Sequence, residues 1–176
     1  MIRQARTVAL IAALATSSAP SAGLAFNEPD GFRGVPWGAT EEQMRSSVSI
    51  ERACSDYDVG IKPLGDRYCP ALLSIGNVKV RAIYSFRSDR LVRVGLHFAS
   101  TDFDRLAENF VERYGAPTHL DHDVLSWIGD KTAVALYRHL NSDIARGHAV
   151  ITTQAEAQTM MRLRNEQTTD TAKGLE

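Results

Sequence analysis

The sequence predicts an α+β domain in which two helices pack on a twisted antiparallel sheet. Three observations carry that prediction. Val78, Val80, Ala82, Tyr84 and Phe86 alternate with Lys79, Arg81 and Ser85, the period of a strand with one covered face. Phe103, Leu106, Ala107, Phe110, Val111 and Tyr114 recur at helical spacing and form one apolar stripe. Two-residue turn signals, Gly76-Asn77 and Ser88-Asp89, link consecutive strands antiparallel.

In chain order, Arg3 and Arg6 precede the apolar run Val8 to Leu14 and the small-residue stretch Ala15 to Ala25. This is the pattern of a cleaved secretory signal peptide over 1–25. The run falls far short of the roughly 20 apolar residues of a membrane span. A periplasmic or secreted protein with no membrane insertion after cleavage is expected. Loss of Arg3 and Arg6 leaves 18 Lys and Arg against 21 Asp and Glu, a formal charge of −3. That balance disfavours nucleic acid and anionic membrane as partners.

The mature domain is expected over 26–155. Phe32 to Trp37 reads as a short strand at a sheet edge, because Pro36 has no backbone donor. Thr40 and Gln43 form a capping box that opens a helix from Glu41 to about Val48, with Met44 and Val48 inward. Cys54 and Cys69, the two cysteines of the chain, are expected to pair in an oxidising compartment. Closing that loop contributes about 3 kcal/mol in the chain-entropy model. Between them Gly60, Pro63 and Gly65 break any regular element, so Ser55 to Tyr68 reads as a tethered loop.

Strands follow at Ala71 to Ile75, Val78 to Phe86 and Leu91 to Phe98. The second helix ends at Gly115, with Pro117 behind it. Strands at His119 to Trp127, Thr132 to His139 and His148 to Thr153 complete a second helix-plus-three-strand unit. Residues 156–176 read as a polar tail. Met160, Met161 and Leu163 suit one or two helical turns, and Gln167 to Glu176 is expected to be disordered.

No nucleophile elbow, H-E-x-x-H helix or phosphate-cradling glycine loop is present, so neither catalysis nor a cofactor is expected. The tethered loop is the candidate partner-binding surface. Tyr57 and Tyr68 supply rigid contact area, and Asp56, Asp58, Asp66 and Arg67 supply polar specificity. The expected partner is another envelope protein. The alternative is a small metal- or ligand-binding protein using His119, Asp121 and Asp123, which share one side of an extended backbone. His97, His139 and His148 read as isolated strand positions, and Trp37 and Trp127 as core or sheet-covering residues.

Phe32-Arg33-Gly34-Val35-Pro36-Trp37-Gly38-Ala39-Thr40, with Tyr114-Gly115-Ala116-Pro117 and Trp127 later, resembles a group of exported bacterial proteins that open on F-x-G-[IV]-x-W-G-x-[ST]. The repeated helix-plus-three-strand order is more distantly similar to the β-lactamase-inhibitor-protein-like fold, shared with small lipoproteins of outer-membrane assembly. That likeness implies action through contact with other proteins. The chain lacks the lipid-attachment cysteine of those lipoproteins.

Overall fold

A computed structural model describes residues 26–58, 64–140 and 144–173. The signal-peptide segment lies outside the described residues, as do positions 59–63 of the tethered loop. The chain begins with a two-residue hairpin, β1 (Gly31–Phe32) and β2 (Val35–Pro36), then α1 (Glu41–Ser47). Next come β3 (Ser55–Asp56), β4 (Arg67–Ile75), β5 (Val78–Arg87) and β6 (Arg90–Ala99). A 3-10 turn leads into α2 (Phe103–Tyr114), then β7 (His119–Leu120), β8 (Val124–Ile128), β9 (Thr132–Tyr137), β10 (Arg146–Thr153) and α3 (Gln154–Lys173).

The expectation of two helices on a sheet is corrected. The chain is sheet-dominated, 44% strand and 26% helical, with three helices, an eight-stranded antiparallel sheet and a separate two-stranded one. Strands run in the order β3-β4-β5-β6-β10-β9-β8-β7, so the two halves meet where β6 pairs with β10. Each expected unit gains a strand, β3 ahead of β4 and β7 ahead of β8. The expected single strand from Phe32 is instead a hairpin, because Arg33 and Gly34 both take positive φ, 57° and 81°, the requirement of a tight primed turn. The strand expected from His119 to Trp127 folds back on itself at Asp121–Asp123 to give β7 and β8. Its polar stretch carries the turn.

Local signals otherwise act as their chemistry dictates. Thr40 Oγ1 accepts from Gln43 N, and Gln43 Oε1 accepts from Thr40 N at 2.9 Å, completing the capping box. Gly115 takes φ 84° and donates its N–H to Val111 O at 2.8 Å, which stops α2. Pro70 sits inside β4, opposite Ile83 of β5. It is tolerated because β3 is only two residues long, which leaves β4 an edge strand at that point.

The front face of the sheet is sealed. Phe103, Leu106, Phe110 and Tyr114 of α2 and Met44 of α1 are buried with Tyr84, Leu96, Trp127, Leu136 and Ile151 of the sheet. Trp127 is fully buried and donates Nε1–H to Gly115 O at 2.8 Å. Phe110 and Tyr114 meet its ring at 6.0 and 6.2 Å. The N-terminal strap closes the end of this layer. Phe26 packs edge-on against Tyr114, and the Glu28 carboxylate accepts backbone N–H groups from Asp130, Lys131 and Thr132. Those bonds, the one from Lys131 foremost, hold Glu28 below the usual carboxylate range.

The tail expected from 156 is helix α3 instead, running to Lys173. Ala155, Glu156, Ala157, Met160 and Met161 are strong helix formers. Composition alone hid this because a helix docked through few residues needs little apolar content. Glu156 is buried, and its carboxylate meets the Arg87 guanidinium through two bonds, 2.9 and 2.7 Å.

Candidate functional site

The back face of the sheet is built differently. The register places Arg93 opposite Ser85 and Thr152, Gly95 opposite Ile83 and Val150, and His97 opposite Arg81 and His148. A bulge beside Ser85 and Phe86 lets Leu91 take the buried front position opposite Phe86 while Arg93 stays on the back. Two elements frame this face. From one side comes the tethered loop, and from the other α3, which follows β10 directly and lies over β9 and β10.

Between them runs an apolar groove of about 560 Å³. Leu64 comes from the loop side, Ala133, Ala135 and Tyr137 from β9, Val150 and Thr152 from β10, and Ala157, Met160 and Met161 from α3. The small residues of β9 and α3 leave the room, and the thioethers give walls that adapt to shape.

Beside Val150 and Thr152 lies an unusual polar group. Arg93 is 6% exposed, and its Nε has no hydrogen-bond partner. Burial pulls its pKa below the ordinary arginine value, partly offset by the Tyr57 hydroxyl and the more distant Glu156 carboxylate. Glu156 is already held by Arg87. The Arg93 side chain runs back along its strand, with Nη2 3.5 Å from the point where a Cβ on Gly95 would stand. His148 Cε1 lies 3.5 Å from that same point. Gly95 is itself buried, and the Arg93 guanidinium and the His148 ring pack against it.

His148 is mostly buried, and its Nδ1 also lacks a partner. Burial first, then His97 and Arg93, push its pKa down to about 4. Burial, then Arg93, Arg146 and Arg81, lower His97 as well. The two rings lie 4.9 Å apart, and Tyr137 stacks on His148 at 6.4 Å. At neutral pH both imidazoles are neutral, so the positive charge of this patch belongs to Arg93.

The candidate loop residues divide. Cys54 and Cys69 form the expected disulfide. Tyr57 and Tyr68 stack on each other at 4.7 Å, and the Tyr57 hydroxyl meets Ser85 Oγ at 2.9 Å, so these rings cover the sheet rather than offering free contact area. Arg67 bridges Glu41 and Asp56 at 2.6 and 2.7 Å. Asp66 accepts from the Ser88 N–H. Asp56, Asp58 and Asp66 remain exposed.

His119 and Asp121 are exposed at the β7–β8 hairpin. Asp121 accepts from the His122 N–H, and Asp123 pairs with Arg138 at 3.1 Å. Among the described residues, the one cluster with metal-ligand spacing is Glu41, Cys54 and Cys69. Both of its sulfurs are spent in the disulfide, so it offers a cation a single carboxylate.

Sequence reasoning missed Arg93, Gly95, Leu64, Tyr137, Met160 and Met161, and it left His97 and His148 apart. The alternation of β6 already put Arg93 opposite the apolar face. Only the cross-strand register brings the two histidines and Gly95 together.

Fold and site together define a small sheet domain with one sealed face and one face that carries an apolar groove. The chain belongs to the TP0088 domain family, whose model matches residues 30–166. No curated protein and no solved structure matches the chain.

Proposed function

We propose that this chain is an exported binding protein without catalytic chemistry, and that it takes a small apolar ligand into the groove between α3 and the back of the sheet. The observation that carries the reading is the groove itself. At about 560 Å³ it falls within the range of small-molecule sites. Its walls come from four separate segments, the loop end at Leu64, β9, β10 and α3. A surface formed only to be solvated would carry polar side chains there.

Export is supported by the leader pattern and by the Cys54–Cys69 disulfide. No helix among the described residues is long and apolar enough to cross a membrane. Cell fractionation tests export, which predicts a processed, oxidised protein outside the cytoplasm.

The groove reading is tested with an uncharged environment-sensitive dye, N-phenyl-naphthylamine. Binding is expected to be saturable and to be lost in Ala157→Trp, which fills the groove from the helix side. Dye fluorescence unchanged by that variant, with melting and circular dichroism as in the parent, would refute it.

A second reading, contact with an envelope protein through residues 55–68, is supported by the exposed carboxylates Asp56, Asp58 and Asp66. Pull-down with Asp56→Asn and Asp58→Asn variants tests it. Capture of the same partner by variant and parent alike would count against it.

A further inference from the structure

We infer that the groove selects an amphipathic anion, a free alkyl carboxylate whose head pairs with the Arg93 guanidinium beside Thr152 while its chain lies along Val150, Ala135 and the α3 methionines. The inference rests on the groove reading and adds the chemistry of the head group.

Arg93 is 6% exposed and forms no ion pair of its own among the described residues, with the Tyr57 hydroxyl as its hydrogen-bonded neighbour. A buried charge without an ion-pair partner costs several kcal/mol. The neighbouring Arg87 and Arg81 each have a carboxylate of their own. The Arg93 Nε–H is unused. Its planar fork suits two carboxylate oxygens at once.

The register carries Arg93 to the edge of the groove. Thr152, directly opposite Arg93 in the β6–β10 pairing, is itself a wall of the groove, as is Val150 in the next row of that face. Charge on one end and thioether, methyl and ring on the other match an ion with an apolar tail. A phosphomonoester head, close to doubly charged at pH 8, would need a second cation, and Arg87 is committed to Glu156.

Displacement of the bound dye by decanoate and by decanol at pH 8 is the test. Decanoate should displace at concentrations at least about tenfold lower than decanol, since a charge-assisted pair in a dry site is worth more than a neutral bond. Arg93→Met should erase that preference while leaving decanol unchanged. Arg93→Lys should retain part of it.

Equal displacement by acid and alcohol in the parent protein would overturn the head-group inference and leave the groove standing. Failure of both to displace, with no dye bound, would sink the groove as well. Arg93-dependent sedimentation with phosphatidylglycerol vesicles, without displacement by monomeric decanoate, would overturn the free ligand in favour of a membrane surface.

Discussion

The two faces of one sheet have been put to opposite uses. On the front, α1, α2 and the N-terminal strap cover Tyr84, Leu96, Trp127 and Leu136 completely, and ring meets ring around Trp127. On the back, a tethered loop and a terminal helix cover the sheet in part. They leave a groove, an unpaired arginine and a histidine with a free nitrogen. The front satisfies its one buried indole N–H but leaves the Tyr84 hydroxyl without a partner. The back leaves Arg93 Nε and His148 Nδ1 unmatched beside an apolar channel, and a ligand of the proposed kind would supply a missing partner. On that proposal, stability and binding fall on different sides of the same strands.

Mutations should separate the faces. Trp127→Ala removes the largest fully buried side chain of the front and leaves a cavity, so unfolding in urea should show a loss of about 3–5 kcal/mol. A smaller loss would mean that the front repacks and is less committed than its burial implies. Replacing both cysteines by alanine should lose about 3 kcal/mol in the chain-entropy model. It should also weaken dye binding, because Leu64 would no longer be held near the sheet. Lost stability with unchanged binding would detach the loop from the groove.

The third effect depends on pH. The His148 pKa is pushed down to about 4 from an unfolded value near 6.5, by burial and then by His97 and Arg93. The unfolded chain therefore takes up a proton first as pH falls. The contribution of His148 is full above about pH 6.5, declines through the interval, and is gone below about pH 4. With its partial exposure discounted, it amounts to roughly 2–3 kcal/mol. Chemical denaturation at stepped pH should show this slope, and His148→Gln should flatten it.

Arg93→Met should act the other way and raise the melting temperature, by about 1 kcal/mol of stability, since it removes an uncompensated charge. A large destabilisation would instead make Arg93 a structural residue of the back face. Leu72→Ser, at a position 62% exposed, should change stability by less than about 0.5 kcal/mol.

What the sequence revealed follows the same division. The front face was legible because each of its signals is local: the α2 stripe, the Thr40 capping box, the Gly115 stop and the alternation of β5 each fall within a few residues. The paired cysteines were legible from compartment and count. The back face was not. His97 and His148 are 51 positions apart and become neighbours only when β6 pairs with β10.

Arg93 drew no reading from the sequence, because nothing near it in the chain says that Tyr57 will cover it. The α3 segment looked like a tail because its contacts are few and one of them is an ion pair with Arg87, far back in β5. Tyr57 and Tyr68 were expected to supply contact area for a partner. The contact they make is with the sheet and with each other.

Methyl NMR of protein carrying labelled methionine tests the division of faces most directly. Met44 lies in the front core, and Met160 and Met161 line the back groove. On titration with decanoate the Met160 and Met161 resonances should move and saturate together while Met44 stays still. Shifts at Met44, or no saturable movement at either α3 methionine, would contradict the account.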